Sequence, residues 1–175
     1  MMNNRRRRHT LALATLLLSA CASYDGRGLK PGEARLADVE AVMGVPALRW
    51  QAADGSLRLA YPRGPQGMAT YMVDIDADGR LKSIDNVLDT AGLASIHKDM
   101  SKDDVLRQLG PSDPAGTAYF AARDELVWDY RYCNDWNEPT RFYVLFDGTS
   151  GRVRSTMSMT ESMRGYTDRR QYCGH

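Results

Sequence analysis

The chain uses one unit twice. Asp38-Val39-Glu40-Ala41-Val42-Met43-Gly44-Val45-Pro46 aligns with Asp104-Val105-Leu106-Arg107-Gln108-Leu109-Gly110-Pro111-Ser112 at an offset of 66 residues. Leu57, Leu59 and Tyr61 align with Leu126, Trp128 and Tyr130 at 69, and Tyr71, Val73, Ile75 and Asp76 with Phe142, Val144, Phe146 and Asp147 at 71. Gly79-Arg80-Leu81 matches Gly151-Arg152-Val153 at 72. The offset grows only between the blocks, where loops absorb insertions. Matching blocks in a fixed order mark a tandem duplication, so the fold must close the same small core twice.

Each copy reads as helix, then strands. Ser101 with Asp104 three positions on forms a helix start, and Val105, Leu106 and Leu109 mark an apolar stripe that Gly110-Pro111 ends. The first copy carries Val39, Val42 and Met43 on its stripe and stops at Gly44, but has Arg35 or Ala34 at the cap, so its start is the weaker. A shorter helix is predicted before each, at Ala91 to Ile96 and near Leu29. Alternation then takes over: Leu126, Trp128, Tyr130 and Tyr132 share one strand face, and Phe142, Val144 and Phe146 another. Asp76-Ala77-Asp78-Gly79 and Asp147-Gly148-Thr149-Ser150-Gly151 read as hairpin turns. The expected fold is α+β, with two tandem α-α-β-β-β units. Each is an antiparallel three-stranded sheet with helices packed on one face. The first repeat spans 29–88, the second 89–160, and 161–175 is a C-terminal tail.

The N-terminus has a different purpose. Arg5 to Arg8 precede the short apolar run Leu11 to Ala20, and Leu18-Ser19-Ala20-Cys21 matches the site at which bacteria acylate a cysteine and cut before it. At about 1.5 Å per residue the run reaches roughly 15 Å, half a hydrocarbon core, so it suits a removable signal and not a membrane span. Residues 1–20 are read as a lipoprotein signal peptide, Cys21 as the lipidation site and 21–28 as a tether. The signal carries four of the 23 basic residues and none of the 22 acidic ones, so the mature part has a net charge of −3. Nothing in that balance points to nucleic acid. Cys133 and Cys173 remain, and export favours a disulfide between them over two free buried thiols.

Catalytic chemistry finds little footing. The mature part has two histidines, His97 in a turn between helices and the terminal His175, and no nucleophile elbow or zinc-ligand spacing. Gly64-Pro65-Gln66-Gly67 lacks the Lys-Ser/Thr of a phosphate loop. Asp74, Asp76 and Asp78 with Asp85 fit a calcium-loop spacing, but strands flank them where helices are needed, and Leu145 and Thr149 replace two of them in the second copy. The expectation is therefore no enzyme, no metal and no cofactor. Binding has more support. Trp136 stands on a polar loop expected over Tyr132 to Pro139, either as an anchor for a partner or as a lid on its own core. Tyr143 and Leu145 face away from Phe142, Val144 and Phe146, and either pack between the repeats or form an exposed patch.

Ile96-His97-Lys98-Asp99-Met100-Ser101 with Val105 to Gly110-Pro111, and Asp78 to Asn86 in the other copy, resemble the SmpA/OmlA/BamE-like lipoprotein domain. The resemblance covers nearly all of 29–160, once per copy, with Asp99 standing where family members carry glycine. It implies an outer-membrane lipoprotein on the periplasmic face, with a protein partner in envelope or β-barrel assembly. Ala22 in place of an aspartate after the lipidated cysteine agrees with that address by family behaviour. The tandem architecture is also similar to that of β-lactamase inhibitory proteins, which grip another protein with their sheets. That likeness supplies the alternative of an inhibitor or binder of an exported enzyme such as a hydrolase.

Overall fold

A computed structural model describes residues 25–63, 67–165 and 173. Residues 1–24, which include the signal segment and Cys21, residues 64–66 and most of the tail lie outside the described residues. Two antiparallel sheets hold most of the regular secondary structure among the described residues. Helix α1 (Leu36–Met43) leads into β1 (Leu48–Gln51), β2 (Leu57–Pro62), β3 (Thr70–Ile75) and β4 (Leu81–Asn86). Helices α2 (Thr90–Ala94) and α3 (Lys102–Leu109) then precede β5 (Ala118–Phe120), β6 (Glu125–Cys133), β7 (Pro139–Asp147) and β8 (Val153–Thr160). Both sheets are simple meanders, in the orders β1-β2-β3-β4 and β5-β6-β7-β8.

The architecture is the expected α+β duplication, with two corrections. Each sheet has four strands, not three, because a short edge strand follows each helix stop. These strands are four and three residues long, too short for a period of two to show in sequence. The segment near Leu29 is a turn, not a helix: Leu29 N–H donates to Gly26 O at 3.0 Å and Ala34 N–H to Lys30 O at 3.0 Å. It lies against β4, where Gly32 N–H reaches Leu81 O at 2.8 Å.

The repeat extends to individual bonds. Ser101 Oγ accepts the Asp104 amide while the Asp104 carboxylate accepts the Ser101 amide at 2.8 Å, a complete capping box. At α1 only half survives, since Asp38 accepts the Arg35 amide at 2.8 Å and Arg35 has no acceptor to return. Both helices end on glycines with nearly the same dihedrals, φ 83 and ψ −160 at Gly44, φ 75 and ψ −168 at Gly110. Each terminal carbonyl then accepts a tyrosine hydroxyl from the second strand of its own sheet: Tyr61 to Gly44 O at 3.2 Å, Tyr130 to Gly110 O at 3.0 Å. Burial raises the pKa of both phenols, that of Tyr61 to about 12, so they stay protonated as donors. The last hairpins also share a bulge, at Asp74/Ile75 and Leu145/Phe146. Asp99 adopts φ 69, the left-handed region that glycine favours.

Two cores result. Val39 and Met43 of α1 pack on Leu59, Val73, Ile75 and Leu81, while Val105 and Leu109 of α3 pack with Tyr130, Phe142, Val144 and Phe146. Each such side chain contributes about 1.5–3 kcal/mol by leaving water. The α3 end has a second task. A Cβ built on Gly110 would lie 2.9 Å from Thr70 Cγ2, 3.5 Å from Met72 Cε and 3.6 Å from Ala60 Cβ, all on the back of the first sheet. Arg58 Nε also donates to Arg107 O at 2.8 Å, and the Arg107 guanidinium stands 5.6 Å from the Trp50 ring centroid. The layers therefore run α1, first sheet, α3, second sheet, and the back of the second sheet comes last.

Candidate functional site

On β6 and β7 the inward residues fill the second core, so register places Val127, Asp129 and Arg131 on the back, opposite Leu145, Tyr143 and Arg141. Met157 of β8 pairs with Tyr143, and Ala118 of β5 with Val127, which carries the same face out to Phe120. One end of this face carries Phe120, Val127, Leu145, Tyr143 and Met157 around the buried Glu125, which Arg123 pairs at 2.9 Å. Val127, Tyr143 and Leu145 are half-buried, while Phe120 is 45% and Met157 44% exposed. The equivalent end of the first sheet is polar, with Arg58 gripping both Asp74 oxygens at 2.9 and 2.8 Å. Arginines border these residues. Arg123 stands 5.0 Å from the Phe120 centroid and Arg164 5.9 Å from that of Tyr143.

The other end of the face is ionic. Glu161 accepts from Arg131 at 2.7 and 2.9 Å and from Arg141 at 2.9 Å, and Arg141 also donates to Asp129 at 3.2 Å. The Asp129 and Glu161 side chains are each only 5% exposed. The hydrogen bonds from Arg131 lower the Glu161 pKa despite burial. Asp129 goes the other way: burial outweighs Arg141 and raises its pKa, and its Oδ1 has no hydrogen-bond partner. The Asp113 to Gly116 turn folds over it, with Asp113 N–H donating to Asp129 O at 3.0 Å. Cys133 borders this cluster and is disulfide-bonded to Cys173 across 40 residues, which ties the chain end to the sheet.

Trp136 crowns the β6–β7 hairpin. Asn134 Oδ1 accepts the Trp136 and Glu138 amides at 3.0 and 2.9 Å, and Thr90 Oγ1 donates to Asp135 at 2.8 Å, which fixes the turn to α2. The ring is 85% exposed and is therefore not a lid on the core.

The structure thus sets Tyr143 and Leu145 together on an outer face, with Trp136 at the tip of the same strand pair. It is the first sheet that packs between the repeats, through Ala60, Met72 and Thr70. Reading the sequence missed Phe120 and Met157 as members of the face, although Met157 and Met159 at alternate positions were a signal. It missed the ionic cluster too, because Glu161 meets Arg131 and Arg141 only through folding. The remaining sequence candidates have structural tasks. Asp74 is held by Arg58, Asp76 Oδ1 accepts the Asp78 and Arg80 amides at 3.0 and 2.8 Å, and exposed His97 meets Lys98 O at 3.0 Å. Among the described residues no group of three or more His, Cys, Asp or Glu is placed to hold a metal, and no helix is long and apolar enough to cross a membrane.

Comparison with known proteins yields one weak structural likeness. A solved structure described as an osmotically inducible lipoprotein OsmE is 29% identical, over 45% of this chain and 90% of that chain, with a TM-score of 0.35. No family model and no curated protein matches the chain.

Proposed function

We propose that this protein is a non-catalytic lipoprotein, anchored through Cys21 to the outer membrane on its periplasmic face, whose second repeat binds another envelope protein. One observation carries the binding role. Of the six large hydrophobic residues exposed among the described ones, five (Tyr119, Phe120, Trp136, Met157 and Met163) belong to the second sheet and its flanks, and only Val45 lies elsewhere. Apolar and aromatic groups ringed by arginine are the composition of binding hot spots. The membrane address rests on Leu18-Ser19-Ala20-Cys21, since acyl chains supply about 0.8 kcal/mol per buried methylene.

A pull-down from cross-linked envelopes tests the reading. Wild-type protein is expected to recover a barrel-assembly or other envelope-building component, and Trp136→Ala combined with Tyr143→Ala to lose it while folding normally. Recovery of an exported hydrolase alone would favour an inhibitor. An unchanged partner set in the double variant would remove the second sheet from the account.

A further inference from the structure

The repeats meet along the end of α3, at Arg107 and Gly110, and beside this contact opens a cavity of about 430 Å³. The first sheet contributes Ala69 and Thr70 to its walls, the second core Leu88 and Tyr130, and the segment after α3 Pro111 and Ala115. The lining is mainly carbon, and Tyr130 has already committed its hydroxyl to Gly110 O. Ligand pockets of small molecules measure roughly 300–1,000 Å³ and occur preferentially where two bodies meet.

The charges at the rim decide what the cavity accepts. Asp113 and Arg131 line it, and both are engaged elsewhere. Asp113 accepts the Ala115 amide at 2.9 Å and faces Arg141 at 3.8 Å, while Arg131 is bidentate on Glu161. Each already faces a group of opposite charge. A charged ligand would give up its hydration for counter-charges already paired, a desolvation cost that an uncharged one avoids. We infer that the inter-repeat cavity is a binding site for a small, uncharged, apolar molecule, separate from the outer face of the second sheet.

The probe is 3-trifluoromethyl-3-phenyldiazirine, photolysed with the full chain in native membranes and mapped by peptide mass spectrometry. Saturable labelling is expected on the peptides that carry Leu88, Pro111 to Ala115 and Tyr130. Ala115→Trp, which fills the cavity from the second repeat, is expected to reduce that labelling to background, as is Ala69→Trp from the opposite wall. Both variants are checked for wild-type cooperative unfolding. The carboxylated analogue of the probe is expected to label these peptides far less. Labelling confined to Val127 and Leu145, labelling unchanged by a folded filling variant, or equal labelling by the carboxylated analogue would each overturn the assignment.

Discussion

Gly110→Ala should cost clearly more stability than Gly44→Ala, although the two glycines occupy equivalent positions with nearly equal dihedrals. An alanine at either is forced into a region essentially reserved for glycine, at about 1–3 kcal/mol. At Gly44 the added methyl meets nothing within 4 Å, so that strain is the whole effect. At Gly110 it lands 2.9 Å from Thr70 Cγ2, against the back of the first sheet. Overpacking of this kind adds about 1–3 kcal/mol. The gap between the variants is then about 2 kcal/mol, or roughly 4–8 °C in Tm for a chain of this size. Urea and thermal unfolding of both variants measure it. Thr70→Ser removes the clashing methyl, and the next neighbours at 3.5 and 3.6 Å are in ordinary contact. Serine should therefore narrow the gap in the Gly110→Ala background by about 1 kcal/mol or more, a coupling between residues far apart in sequence. Equal losses in the two alanine variants, or no rescue by Thr70→Ser, would refute the α3 end as the joint between repeats.

Other outcomes follow from the same structure. Arg141→Met leaves Asp129 and Glu161 short of a partner and should destabilise by about 3 kcal/mol in urea unfolding. The Glu161 carboxyl has a depressed pKa, so its contribution is complete above the ordinary value of 4.5 and fades as pH falls through the lower native one. The stability difference between wild type and Glu161→Gln should accordingly shrink below that pH, with wild type the more stable at neutrality. Asp129 has the opposite sign: its raised pKa makes ionisation costly, so Asp129→Asn should weaken the loss of stability as pH rises through the acid range. Cys133→Ala with Cys173→Ala opens a loop of 40 residues and should cost about 4 kcal/mol by chain entropy, read as a lower urea midpoint. Cys21→Ala should move the protein from the membrane to the soluble fraction of the envelope.

What could be read in the sequence was whatever is local or repeated. The glycine stops, the Ser101–Asp104 cap and the last hairpins are each specified within a few neighbouring residues, and duplication presented them twice. The edge strands Leu48–Gln51 and Ala118–Phe120 were not legible, because strands so short have no period and are made by pairing with β2 and β6. The order of layers was not legible either. Which sheet back is covered depends on where Gly110 seats, and that follows from small Ala60 and Thr70 facing it in one repeat while Asp129 and Arg141 stand at the matching positions of the other. Tyr143 and Leu145 could be placed on a common face by alternation alone. That this face is the outer one became visible only with the joint.

The claim that the second repeat presents the binding surface is tested most directly by site-specific photocrosslinking in intact cells. A photoreactive residue is placed in turn at Trp136, Tyr143, Leu145 and Met157, and at Lys82 on the first sheet as the comparison. The account predicts discrete protein adducts from the four second-repeat positions and none from Lys82. Adducts of equal yield from Lys82, or none from the four, would contradict it.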